Sequence, residues 1–96
     1  MKIVLLDISG SHVLASSVNS FFADRPVTIH RVANTALFQI HARKPKEYAM
    51  AIALVHSGNA RLVNVKVDVP TFVFQPHTYK RKKLLRFYQE NGGVDG

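Results

Sequence analysis

The chain contains no cysteine. Disulfides, thiolate zinc sites and thiol catalysis are therefore excluded. Neither a G-x-x-x-x-G-K-[ST] loop nor a G-x-G-x-x-G turn occurs, so the usual nucleotide-cradling motifs are missing as well. Long apolar runs are absent. After Lys2 only residues 3–6 are apolar before Asp7, too few for the core of a secretory signal. The longest later run, residues 49–55, falls far short of a membrane span. A cytoplasmic protein without membrane contact is the expectation.

Acidic residues are scarce. Six Asp+Glu stand against 13 Lys+Arg, and the acids are scattered, so no paired-carboxylate site for hydrolysis or metal-assisted cleavage is visible. The 5 histidines, at positions 12, 30, 41, 56 and 77, form no H-x-x-x-H pair, and with no cysteine beside them a zinc site is not expected. Asp7, Ser11 and His12 carry the residue types of a catalytic triad, yet closeness in sequence is no evidence for triad geometry. The expectation is a protein without cofactor that is not an enzyme.

What remains is a chain of 96 residues, of which 47% are hydrophobic, enough for one domain with a real core. A single α+β domain over residues 1–91 and a flexible tail over 92–96 are expected. The net charge of +7 favours an anionic partner such as nucleic acid, an acidic protein surface or anionic lipid.

Residues 2–8 form a near-continuous apolar run that reads as a strand buried on both faces, ending at Ser9-Gly10-Ser11. Leu14, Val18, Phe21 and Phe22 then recur at helical spacing, with Ser11 placed to cap the helix. Residues 27–33 and 36–43 both read as strands. In the second, Phe38, Ile40 and Ala42 alternate with Gln39, His41 and Arg43, and Asn34-Thr35 would turn between the two. A second helix is expected from Lys44-Pro45-Lys46-Glu47, with Tyr48, Ile52 and Val55 as its apolar stripe and Gly58 as its stop. Residues 61–69 alternate clearly as a strand until Pro70. Thr71 to Phe74 reads as a further short strand, and a last helix is expected from Pro76 to about Asn91.

This order, β-α-β-β-α-β followed by a short strand and a basic helix, is that of a split βαβ, or ferredoxin-like, fold. Such a fold would leave one face of an antiparallel sheet open or covered by the C-terminal segment, with His30, Gln39, His41 and Arg43 on it beside Asn64 and Lys66. That face lacks the aromatics with which RNA-recognition motifs stack bases, because Phe38 falls on the core side.

The last helix carries the strongest functional signal. Lys80, Arg81, Lys82, Lys83 and Arg86 lie within seven positions. Tyr79, Lys82, Lys83 and Arg86 share a helical face at i, i+3, i+4 and i+7, while Leu84, Leu85 and Tyr88 point away. Such a face suits phosphates, with Tyr79 able to stack on a base or sugar. Arg43, Lys44 and Lys46 form a second basic cluster, which would extend the first into a track if both lay on one side.

Asp7-Ile8-Ser9-Gly10-Ser11 resembles the D-x-S-x-S opening of von Willebrand A-type domains. In that family the Asp and the two Ser oxygens hold a magnesium ion, so the resemblance implies Asp7, Ser9 and Ser11 as oxygen ligands for such an ion. It covers these five residues alone; the family's domains are longer and take further ligands from later loops that have no counterpart here. Taken by themselves the residues read as a glycine turn with a serine helix cap, and that reading is preferred.

The leading expectation is a small nucleic-acid-binding protein, DNA or RNA, contacting phosphates through Tyr79, Lys80, Arg81, Lys82, Lys83 and Arg86 with Arg43, Lys44 and Lys46. The alternative is a protein-interaction or regulatory module, an inhibitor, adaptor or assembly subunit, using a sheet edge or the basic helix for a partner or a second copy. A metal-dependent enzyme is the minor alternative.

Overall fold

The computed structural model describes residues 1–56 and 68–94. Among them the elements run β1 (Lys2–Ile8), α1 (His12–Phe22), β2 (Thr28–Val32), α2 (Thr35–His41), β3 (Met50–Val55), β4 (Thr71–Phe74) and α3 (Arg81–Glu90). The strands form one sheet in the order β2-β1-β3-β4, and each neighbouring pair is parallel.

Side-chain alternation along β1 and β3 divides the core in two. Ile3 and Leu5 of β1, with Met50, Ile52 and Leu54 of β3, point to one face, where Leu14, Val18, Phe21 and Phe22 of α1 and Leu84, Phe87 and Tyr88 of α3 cover them. Val4 and Leu6, with Ala51, Ala53 and Val55, point to the other, under Phe38 of α2, Ala42 at its carboxyl cap, Tyr48 and Val69. All six residues of β3 are buried. The result is a layer of helix on each face of a parallel sheet, the arrangement that crossover connections impose.

Several sequence expectations hold. The first strand, the helix with its buried Leu14, Val18, Phe21 and Phe22, and the short strand Thr71–Phe74 are present. Ser11 caps α1: its side chain accepts from the N–H of Leu14 at 3.1 Å. The mixed α/β class is present too. The ferredoxin-like arrangement is replaced, because the sheet is parallel throughout and carries helices on both of its faces.

The difference starts at Asn34. Its side chain accepts from the N–H of Leu37 at 2.9 Å, so the residue opens a helix instead of turning a hairpin. Residues 36–43, read as a strand, therefore fall largely in α2. Phe38 and Ala42 are buried one turn apart, while Ile40 is 53% exposed. A two-residue hairpin can join only antiparallel strands, whereas a helix carries the chain across to a parallel neighbour. The second expected helix is correspondingly β3. Its alanines and aliphatics form a run buried on both faces, and such a run has neither helical nor strand periodicity to read. Tyr48, Ile52 and Val55 face different layers and form no stripe.

Of the strand expected over 61–69, residues 61–67, with Asn64 and Lys66, lie outside the described residues. Asp68 and Val69 form a bend, and each donates its N–H to the carbonyl of Ala42 at 3.0 Å. The last helix begins at Arg81; residues 76–78 form a turn in which Thr78 and Tyr79 donate to the carbonyl of Gln75. After α3 the chain folds back. The Tyr88 hydroxyl donates to the Val94 carbonyl at 2.7 Å and accepts from its N–H at 3.1 Å. Gly93 lies so close that a Cβ there would sit 2.5 Å from the Tyr88 ring.

The helical phase of α2 has a direct test. Phe38→Ala should cost about 3–5 kcal/mol in urea unfolding, whereas Ile40→Ala should stay within about 0.5 kcal/mol. Large and equal losses at both positions would restore the period-2 strand.

Candidate nucleic-acid interface

α3 follows the edge strand β4 and packs on the sheet through Leu84, Phe87 and Tyr88. That leaves Lys80, Arg81, Lys82, Lys83 and Arg86 exposed. Among the described residues none of these five forms an ion pair, whereas Lys2 and Lys44 are each paired with Glu47. The first turn of α3 holds no acidic residue, and Lys80 at the cap position makes no side-chain capping bond. Helices ordinarily gain from carboxylates at this end, where the aligned peptide dipoles are positive. Here cations are added to the positive end.

Lys82, Lys83 and Arg86 line an open groove of about 390 Å³ together with Phe72, Phe87 and Glu90. Phe72, from the edge strand, is half-buried and stacks on Phe74 at 4.3 Å, with the Phe87 ring edge-on at 5.2 Å. The groove thus combines a cationic rim with an aromatic floor, and the acidic side chain of Glu90 stands at its far end.

Tyr79 stands elsewhere. It precedes the helix and packs edge-on against Phe74 at 5.1 Å, lining a separate hollow with Ser17, Ser20, Phe21, Asp24 and Arg81. Burial raises its hydroxyl above the ordinary tyrosine value, against the opposing charge of Arg81. The Arg81 guanidinium lies 5.4 Å from the Phe21 ring centroid. Tyr79 and Arg81 therefore turn toward α1, while Lys82, Lys83 and Arg86 turn toward β4.

Arg43, Lys44 and Lys46 are exposed in the segment between α2 and β3. Glu47 moderates this cluster, bonded to Lys2 at 3.1 Å and 3.9 Å from Lys44. The hydrogen bond to Lys2 holds the Glu47 carboxyl below its usual value and the Lys2 ammonium above its own. The cluster enters the start of β3 beside α2, whereas the basic turn of α3 follows the end of β4 on the opposite face. The two clusters make no single track.

Sequence reasoning missed Phe72 and Phe87 as groove residues. Phe72 falls in a strand only four residues long, and its place beside α3 arises from the chain reversal at 75–80.

The D-x-S-x-S segment ends β1, the strand at which the order reverses, with β2 on one side of it and β3 on the other. Crevices beyond such strand ends are where open α/β sheets ordinarily take ligands. The oxygens here are engaged with one another. Asp7 Oδ1 accepts from the Ser9 N–H at 3.0 Å and from Ser9 Oγ at 2.8 Å; Ser9 Oγ accepts from the Ser11 N–H at 3.1 Å. Gly10 takes φ 66°, a left-handed conformation suited to glycine. These bonds build the turn that sets Ser11 at the head of α1.

No protein-family description matches the chain, and neither the curated proteins nor the solved structures contain a significant match.

Because one carboxylate oxygen holds both donors of the buried Ser9, Asp7→Ala should lower stability by about 1–3 kcal/mol. Urea unfolding measures this, and an unchanged midpoint would show that the turn stands without Asp7.

Proposed function

We propose that the protein binds single-stranded nucleic acid along the groove between α3 and β4. The observation that carries the reading is the set of exposed cations at the amino end of α3, free of ion pairs among the described residues and set beside the half-buried ring of Phe72. Phosphates would meet Lys82, Lys83 and Arg86, with Lys80 and Arg81 adding to the attractive field at the helix end. A base would stack on Phe72, an interaction that tolerates any sequence because every base has a π-face. Each phosphate neutralised releases counterions, so affinity falls steeply with salt. Tyr79 is not part of this surface, and Arg43, Lys44 and Lys46 would act at most on a separate stretch of a longer ligand.

A protein-interaction module is the second reading. It draws on Leu37 and Ile40, 40% and 53% exposed on the outer side of α2.

Fluorescence polarisation with labelled single-stranded oligonucleotides tests the first reading. Lys82→Glu with Lys83→Glu should weaken binding at least tenfold and flatten the log–log salt dependence by about 0.7 for each phosphate no longer neutralised. Phe72→Ala should cost about 1–3 kcal/mol of affinity with little change in slope. Unaltered binding by the folded variants would remove the groove from the account.

A further inference from the structure

Two histidines and a tyrosine meet on the α2 face of the sheet, away from the groove. His30 stands on β2, His41 is the last residue of α2, and Tyr48 lies just before β3. The Tyr48 hydroxyl is hydrogen-bonded with His30 Nδ1 and lies 3.2 Å from His41 Nδ1. The imidazole centroids are 4.6 Å apart. Tyr48 is only 1% exposed, so its hydroxyl relies on these two partners.

A phenol has one proton to donate and lone pairs with which to accept. The three groups are satisfied when one Nδ1 is bare and accepts the tyrosine proton, while the other carries a hydrogen and donates it. A bare Nδ1 requires a neutral ring, so the cluster accommodates one imidazolium at most. A second proton makes donors of both nitrogens, leaves the phenol proton without an acceptor, and places two cations side by side. Metal ligation is the poorer use of these groups, because both Nδ1 atoms are engaged and burial raises the Tyr48 hydroxyl above its ordinary value.

Burial and the surrounding charges together favour the neutral form of His41. From β1, Lys2 Nζ lies 5.0 Å from the Tyr48 ring centroid. Lys44 and Glu47 come from the α2–β3 segment. Glu47 is bonded to Lys2 and close to Lys44, which offsets its charge. Burial, then His30, then Lys44 and Lys2 hold His41 below the ordinary histidine range, with Glu47 opposing.

We propose that His30, Tyr48 and His41 form a proton-operated latch, which ties β2 and α2 to the chain entering β3 at neutral pH and opens when both imidazoles are protonated. The latch belongs to the edge of the domain opposite β4, so its opening loosens β2 and α2 and leaves the α3 groove in place. The sign follows from His41. Its proton is held more weakly in the folded chain than in the unfolded one, so the unfolded chain is protonated first as pH falls below about 6.5. Stability is present above that value and is lost as pH falls from it toward the lower folded value.

Histidine-ring NMR and amide hydrogen exchange on the full chain between pH 7.5 and 5 test the latch. One ring should present a bare Nδ1 at neutral pH, and protection at residues 28–32 and 35–41 should fall on acidification while α3 keeps its own. The thermal midpoint should fall more over this range in the wild type than in His41→Asn; should that variant fail to fold, His30→Asn serves for the comparison. Two rings titrating independently at ordinary values, with undiminished protection of β2, would overturn the proposal, as would equal pH dependence in the wild type and the folded variant.

Discussion

β1 and β3 lie side by side at the centre of the sheet, and their apolar side chains point to both faces. A strand so made cannot be left open to water on either side, and parallel pairing requires a crossing connection after each strand. The rest of the structure answers that constraint. α1 and α3 cover one face, α2 and Val69 the other, and the edges fall to β2 and β4, the less buried strands. Because α3 must close the sheet on the β4 side, its basic turn comes to lie against the edge strand, and the groove with Phe72 is a product of that closure.

Features written in local chemistry are legible in the sequence. The first strand, the four buried positions of α1, its Ser11 cap and the strand at 71–74 rest on neighbouring residues, and the shared exposed face of Lys82, Lys83 and Arg86 follows from the phase of α3. The pair α2 and β3 reads the wrong way round in the sequence because periodicity misleads at both. Phe38, Ile40 and Ala42 fit a period of two, yet Asn34 caps Leu37 and turns the same residues into a helix whose outer side carries Ile40. Met50 to Val55 is apolar throughout, a pattern a buried strand shares with a buried helix. With that exchange the sheet changes from antiparallel to parallel, and the open face expected for His30 and His41 becomes a packed junction around Tyr48. Phe72 in the groove depends on a tertiary arrangement that no local pattern encodes.

The charge of the molecule divides along similar lines. Glu47 tempers the basic segment before β3, and Asp7 serves the turn beneath α1. Around the head of α3, in contrast, cations gather where the helix dipole is already positive, and no carboxylate in the first turn offsets them. This arrangement costs the isolated helix some stability; under the proposed function an anionic ligand would offset that cost, and the neighbouring aromatic floor would suit one whose bases are unpaired.

Backbone amide shifts of the labelled protein during titration with a short single-stranded oligonucleotide test this account most directly. It predicts saturable, salt-sensitive shifts at residues 72, 82, 83, 86 and 87, with the segment at 43–46 changing little. Shifts confined to other surfaces, or none at low salt, would contradict it.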